Sequence, residues 1–242
     1  MRRKRPIYAE TYLNRRRWLL LGLLGGVIVM LLAGGWWWAQ RNPRPSAKRY
    51  PVMGVRLDQT SDYLDADQLR AGGVSFVYLK ATQGASFRDD HFATNYQRAT
   101  GLTVGVSHYF SFDSTPQQQA ANLIATVGAN SGTLPIGIEV AYYDQYADSP
   151  PPAARVQSAL RQLIALVEAH YHQGVVLLGT PQALKTVQNV APARPRWVIS
   201  TKRPKQATFW EYATAKLPQG HSQQQFESAV YTGSRQEFAT LQ

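Results

Sequence analysis

Residues 74–112 read VSFVYLKATQGASFRDDHFATNYQRATGLTVGVSHYFSF. Val74–Ala81 is a short run rich in β-branched and aromatic residues, opened by Gly72 and Gly73, as a buried strand is. Asp89–Thr100 has acids in its first turn and Gly101 directly behind it, which predicts a helix. Thr103–Phe112 is a second apolar run. Strand, helix and strand in this order make one βαβ unit, whose two strands lie parallel.

The alternation continues on both sides. Further strands are predicted at Val52–Leu57, Leu134–Tyr142, Gly174–Gly179, Arg196–Ser200 and Thr208–Tyr212. Further helices are predicted at Asp65–Ala71, at Pro116–Val127 behind the capping candidates Ser114 and Thr115, and at Pro152–His172. The last places Val156, Leu160, Leu163, Leu166 and Val167 at helical spacing. The pattern defines an α/β domain with a parallel sheet, open or closed into a barrel, and shows no internal repeat.

Ahead of this domain the chain is different in kind. The formal net charge is +11. Residues 1–50 hold eleven Lys and Arg against Glu10 alone, so +10 of that charge sits there, and the remaining residues carry fifteen basic and fourteen acidic side chains. The basic clusters flank an uncharged run, Trp18–Ala39, which as a helix spans roughly 33 Å, about the thickness of a hydrocarbon core. Trp36, Trp37 and Trp38 close it where indoles favour the headgroup boundary. A cleaved signal peptide is the competing reading, but its apolar region is shorter and ends in small residues. The segments are therefore a basic cytoplasmic stretch 1–17, a transmembrane signal anchor 18–40, a Pro-rich basic linker 41–51 and a domain 52–242. Seven basic residues before the span and four after it place the N-terminus in the cytoplasm and the domain outside. This placement withdraws the nucleic-acid partner that a pI near 10.0 first suggests. Gly22 and Gly26 form a small-xxx-small pair, more simply read as ordinary glycines of a span.

In parallel α/β folds the reacting groups collect at the carboxyl ends of the strands. Here those ends carry Arg56 and Asp58, Lys80, Thr82 and Gln83, His108 and Tyr109, Glu139 and Tyr142, Trp210 and Tyr212. Rings mixed with hydrogen-bonding groups suit a sugar cleft, although Tyr and Trp are also ordinary strand residues.

At these ends the sequence resembles glycoside hydrolase family 25, the lysozyme-type N-acetylmuramidases. GVRLDQ from Gly54 is similar to the family's GVDVSxxQ, and FVYLKATQG (Phe76–Gly84) to its FxxxKATEG. Asp89, Phe92 and Asn95 match its D-xx-F-xx-N helix, Gly105 and His108 its VGxYHF strand, and Gln119 with Ala120 a Q-A pair. Pro135–Ala141 lies where the family has P-x-x-x-D-x-E. RWVIST, FWEYA and VYTGSRQEF (Val230–Phe238) are similar to its LWxAxY, WQY and VFNGSxxxF. The resemblance covers nearly all of residues 52–240. It implies a compact TIM-like β/α barrel, peptidoglycan glycan strands as partner, and no cofactor and no metal.

The departures fall on the chemistry. Glycosidic hydrolysis needs an acid for the leaving oxygen and a second negative group at the developing cation. The alignment puts Glu139 at the family's aspartate and Ala141 at its glutamate. Arg56 replaces the first-strand aspartate, Gln83 the glutamate of KATEG, and Glu227 stands at a late aspartate. Alanine donates no proton, and arginine lowers a neighbouring carboxyl's pKa. A two-residue shift makes Glu139 the acid and leaves Gly137 as the missing partner; otherwise Asp58, Asp144 or Glu227 takes over a role. The expected catalytic candidate is Glu139. The expected substrate contacts are Asp58, Lys80, His108, Tyr109, Tyr142, Trp210, Tyr212 and Glu227.

Other chemistries are excluded or left unsupported. The chain has no cysteine, and so neither a thiolate metal site nor a cysteine nucleophile. It has no HExxH, P-loop, GxGxxG or GxSxG. His170 and His172 do not share a helix face. Lys202, Arg203 and Lys205 read as a solvated loop or as a phosphate contact. Three functions follow: a membrane-tethered domain that binds wall glycan with muramidase activity lost or weak, a working muramidase with rearranged acid and base, or a domain for an envelope protein partner.

Overall fold

The computed structural model describes residues 8–41, 44–217 and 224–241; side chains are described from residue 17 on, except at 37–41. Residues 1–7 of the basic stretch, residues 42 and 43 of the linker, and the side chains of Trp37 and Trp38 lie outside the described residues. The chain divides into two units, 1–43 and 44–242. The first contains one helix, α1 (Tyr8–Arg41), whose stretch Arg17–Trp36 is long and apolar enough to cross a membrane.

The second unit runs β1 (Met53–Leu57), α2 (Ala66–Ala71), β2 (Val74–Gln83), β3 (Phe87–Arg88), α3 (Phe92–Arg98), β4 (Thr103–Tyr109), α4 (Pro116–Val127) and β5 (Ile136–Glu139). It continues with α5 (Gln145–Asp148), α6 (Ala153–Tyr171), β6 (Val175–Gly179), α7 (Pro181–Thr186), β7 (Arg196–Ile199), β8 (Phe209–Lys216), β9 (Gln225–Tyr231) and α8 (Arg235–Ala239). The order around the sheet is β1-β9-β8-β7-β6-β5-β4-β2, and the pairing of β1 with β2 closes it into a barrel of eight strands, with β3 a short addition to β2. Within the barrel all neighbours are parallel except β9, which runs antiparallel to both β8 and β1; the added β3 is antiparallel to β2. The expected β/α barrel is therefore present. The added finding is β9, which closes it.

Local chemistry explains the elements. Thr115 caps α4 through a reciprocal box with Gln118, followed by Pro116 at the first turn. Val156, Leu160, Leu163 and Val167 of α6 are buried and Leu166 is not, so the apolar stripe is narrower than its spacing suggests. α3 begins at Phe92, not Asp89, because the Asp89 carboxylate is engaged as an acceptor from the backbone N–H of Gln59 (2.6 Å) and His91 (2.9 Å).

Strand residues alternate between two cores. Outward residues such as Val55, Val77, Val106 and Ile138 pack with helix residues Leu123, Leu160 and Val167. Inward residues Phe76, Tyr78, Trp197 and Phe209 fill the barrel, with Trp197 and Phe209 stacked at 5.0 Å and Tyr78 edge-on to Trp197 at 4.7 Å. These rings fit because glycine faces them. A Cβ on Gly54 would lie 2.3 Å from Phe76 ring carbons, and one on Gly105 would lie 2.6 Å from the Tyr78 ring.

Candidate functional site

Above the ring layer, the next inward positions are polar. Gly54 and Arg56 share the inner face of β1, Gly137 and Glu139 that of β5, and Phe209 and Glu211 that of β8. Barrel closure brings these positions together. The Arg56 guanidinium donates from Nη1 to Glu139 Oε2 (2.8 Å), from Nε and Nη2 to both Glu211 oxygens (3.2 Å each), and pairs through Nη2 with Glu227 Oε2 (2.9 Å). Trp197 Nε1 donates to Glu211 Oε2 (3.2 Å). One buried cation thus holds three carboxylates from three other strands.

The electrostatics follow from this geometry. Burial alone would lower the Arg56 pKa, but the fields of Glu139, Glu211 and Glu227 outweigh it and raise it, so the guanidinium stays charged. Burial raises the Glu139 carboxyl, opposed by Arg56 and assisted by Glu211. Glu227 is pushed up to about 7, chiefly by burial and then, against Arg56, by the charges of Glu211 and Glu139. Its side chain is nevertheless 40% exposed. It opens onto a cavity of about 230 Å³ shared with Asp58, Thr60 and Thr214. Burial acts to raise Asp58, but hydrogen bonds from the Thr60 hydroxyl and N–H, with the charges of Lys80 and Arg56, bring it below the usual carboxylate range.

Lys80 lies over two rings, with Nζ 5.2 Å from the Tyr109 centroid and 5.3 Å from that of Phe87, and donates to Gln83 Oε1 (3.2 Å). Burial and the Glu139 charge push the Tyr109 hydroxyl up to about 12. Tyr109 in turn meets Tyr143 at 5.6 Å, and Phe112 stacks on Tyr142 (5.3 Å) and Tyr143 (5.9 Å). An aromatic ledge therefore leads away from the Arg56 cluster. At its far side Ala141, Tyr142 and Tyr146 line a cavity of about 490 Å³ with Thr180 and Gln182. Among the described residues no group of three or more His, Asp or Glu is arranged to hold a metal ion.

The structure brings together Asp58, Lys80, Tyr109, Glu139 and Glu227 of the expected site, and places Tyr142 on the ledge. It does not bring His108, Trp210 or Tyr212 to the cluster. His108 is fully buried on the outer face of β4. Gln119 donates its amide N–H groups to the carbonyls of Ser111 and Ser114, so its Oε1 accepts from His108 Nε2 (3.0 Å), and His108 Nδ1 accepts from the Thr82 hydroxyl (2.8 Å). Burial holds His108 neutral, with its pKa lowered to about 4. Trp210 and Tyr212 flank Glu211 and so point outward, packing with Tyr50 and Val230. Glu211 is the site residue that sequence reasoning missed. Its signal was the period of two in FWEYA: an inward Phe209 requires an inward Glu211.

The recognised D-xx-F-xx-N motif also has a structural account. Asp89 holds Gln59, and Asn95 Oδ1 accepts from Leu64 N–H (2.8 Å), which together fix the loop that carries Asp58.

A β/α barrel with clustered carboxylates at the carboxyl ends of its strands and aromatic side chains beside them is an arrangement suited to the class of carbohydrate-active proteins. Comparison with known proteins narrows this class. The model of glycosyl hydrolases family 25 matches residues 58–228, and the chain belongs to that family. A family 25 glycosyl hydrolase from Bacillus anthracis superposes with a TM-score of 0.76 at 30% identity, covering 81% of this chain and 95% of that one. The bacterial lysozyme of Streptomyces coelicolor gives 0.70 at 22% identity, covering 78% and 96%. Lysozyme M1 of Streptomyces globisporus is 28% identical over 90 residues, 35% of this chain and 31% of its own length. The uncharacterised protein YegX of Escherichia coli K12 is 30% identical over 98 residues, 38% of this chain and 36% of its own. The matched stretch thus spans about a third of these curated relatives.

Proposed function

We propose that this protein is a membrane-anchored, extracytoplasmic domain of the family 25 lysozyme fold that binds peptidoglycan glycan strands, with muramidase activity lost or weak. The observation that carries this reading is the engagement of Arg56 with Glu139, Glu211 and Glu227. A general acid must hold its proton at the working pH, and a second group must offer free negative charge. Glu139 and Glu211 accept hydrogen bonds from a fixed cation, which occupies the negative charge that would support the sugar cation. Ala141, at the glutamate position of the D-x-E pattern, offers neither function. Lys80, Tyr109, Tyr143 and Tyr142 remain as a polar and aromatic surface suited to a glycan strand. The apolar stretch Arg17–Trp36 and its basic flanks support the anchor.

The test uses purified residues 44–242, the compact unit that contains the whole barrel and its core. It should pellet with insoluble peptidoglycan above a tag-only control while releasing no reducing ends above background. Absence of pelleting would sink the binding reading. Anchoring is tested separately, by whether the full chain partitions with membranes and resists extraction by salt.

A second reading, a working muramidase with a rearranged acid, is favoured by Glu227. Its pKa of about 7 and its open cavity give it the proton a leaving group needs. In that case wild type releases reducing ends and Glu227→Gln does not.

A further inference from the structure

The geometry points to a second surface on this domain, on the outer wall of the barrel between α7 and the β7–β8 crossover, that binds the phosphate groups of anionic lipid headgroups. Two adjoining cavities, of about 440 and 200 Å³, share Arg203, Pro204, Lys205 and Gln206. Together they gather six cations, Arg49, Lys185, Arg196, Lys202, Arg203 and Lys205, and no Asp or Glu lines either one. Among the described residues, none of the six lies within 4.0 Å of a carboxylate. This is a marked local excess, because residues 51–242 as a whole balance fifteen basic against fourteen acidic side chains.

Arg196 gives an independent indication. Its Nη2 donates to the carbonyl oxygens of Val190 (3.0 Å) and Ala191 (3.3 Å), which fixes the guanidinium, while Nη1 is buried without a partner. A buried charged donor left unpaired is costly, and an acceptor oxygen in the larger cavity would satisfy it. The crossover itself is held in place, since Trp210 Nε1 donates to Ser200 O (2.7 Å) and Tyr50 packs edge-on against Trp210 at 5.7 Å.

Position selects lipid over other phosphate sources. Arg49 and Tyr50 lie just before the amino end of β1, whereas the Arg56 cluster lies toward the carboxyl ends of the strands. Arg49 also follows the apolar run that ends at Ala39 by only ten residues. The cations are spread along a wall instead of converging on one enclosed ion, as contact with a charged plane requires. Contact there lays this wall of the barrel along the bilayer. The inference rests on the anchored reading above.

The test is co-sedimentation of residues 44–242 with phosphatidylcholine vesicles, with and without phosphatidylglycerol. The expected result is binding only to the anionic vesicles, weakened by salt, and reduced roughly a hundredfold in the triple variant Lys202→Gln, Arg203→Gln, Lys205→Gln, at about fivefold per charge. These residues are exposed, so the variant should keep the thermal unfolding of wild type. Equal binding by the triple variant, or no preference for phosphatidylglycerol, overturns the proposal. So does displacement by inorganic phosphate beyond that by chloride at matched ionic strength, which would mean a site for the free ion. Tighter binding of soluble poly(glycerol phosphate) than of vesicles would assign the surface to a wall polymer and overturn it likewise. If the full chain is found in membranes while the domain ignores anionic vesicles, this inference fails alone. If the full chain is not in membranes, the anchored reading fails first.

Discussion

Arg56 and Glu139 meet across the interior of the barrel, at 2.8 Å, from strands that are not neighbours in the sheet. The contact ties the first strand to the fifth, while the same guanidinium reaches Glu211 on β8 and Glu227 on β9. In a chain of glycosyl hydrolases family 25, this single side chain pairs with all three carboxylates of the cluster.

Removing the cation should expose that dependence. Arg56→Met leaves three carboxylates around an apolar side chain, and the expected loss is about 3–5 kcal/mol at neutral pH. Urea unfolding checks it through the midpoint at unchanged slope. The loss should shrink on acidification, as the carboxylates take up protons. A variant as stable as wild type at pH 7 would show that the cluster contributes no net stability.

Two titratable groups with shifted pKa values give opposite pH dependences. Glu227 has a folded pKa of about 7 against 4.5 for the ordinary group, so between these values the folded chain binds more protons than the unfolded one. Its contribution therefore falls as pH rises from about 4.5 to about 7. His108 has a folded pKa of about 4 against 6.5, so the unfolded chain binds the extra proton and stability is lost as pH falls through that window. The loss for this fully buried ring is about 3 kcal/mol at its acid end. Wild type alone should change little where the windows overlap. Unfolding of Glu227→Gln and of His108→Gln, measured from pH 4 to 8, separates the two, and parallel profiles for all three proteins would refute the assignment.

The aromatic residues should divide by strand face. Tyr109→Ala and Lys80→Ala remove the ring and the cation beside the cluster and should weaken peptidoglycan pelleting about five- to tenfold each, corresponding to roughly 1 kcal/mol. Trp210→Ala should cost about 3 kcal/mol of stability and leave pelleting unchanged. Reduced pelleting by folded Trp210→Ala, with Tyr109→Ala unaffected, would move the glycan site to the outer face.

The ring layer should resist even a methyl group. In Gly54→Ala the new carbon falls 2.3 Å from Phe76 ring atoms, and Phe76 is itself packed against Trp197, Phe209 and Phe238. With the ring unable to retreat, the expected cost is about 3 kcal/mol. A thermal scan checks it.

The residues alone determined seven of the eight barrel strands and four of the helices among them, the charged collars around the apolar run, and the family pattern from Gly54 to Phe238. These properties are local: caps, glycine stops and periodicity act between residues close in the chain. Which face each strand residue takes was not legible, because barrel strands are buried on both sides. FWEYA carries a large ring at both phases, so the period of two pairs Glu211 with Phe209 and Trp210 with Tyr212 but does not say which pair faces inward. His108 matched its motif, yet the partners Thr82 and Gln119 that make it a buried support become visible only once β2, β4 and α4 are packed. The sequence showed an arginine where the family has an acid. Only closure of the sheet could show that Glu139 and Glu211, 83 and 155 residues away, both come to rest on it. Contacts across a barrel depend on register and closure, which no neighbouring residue encodes.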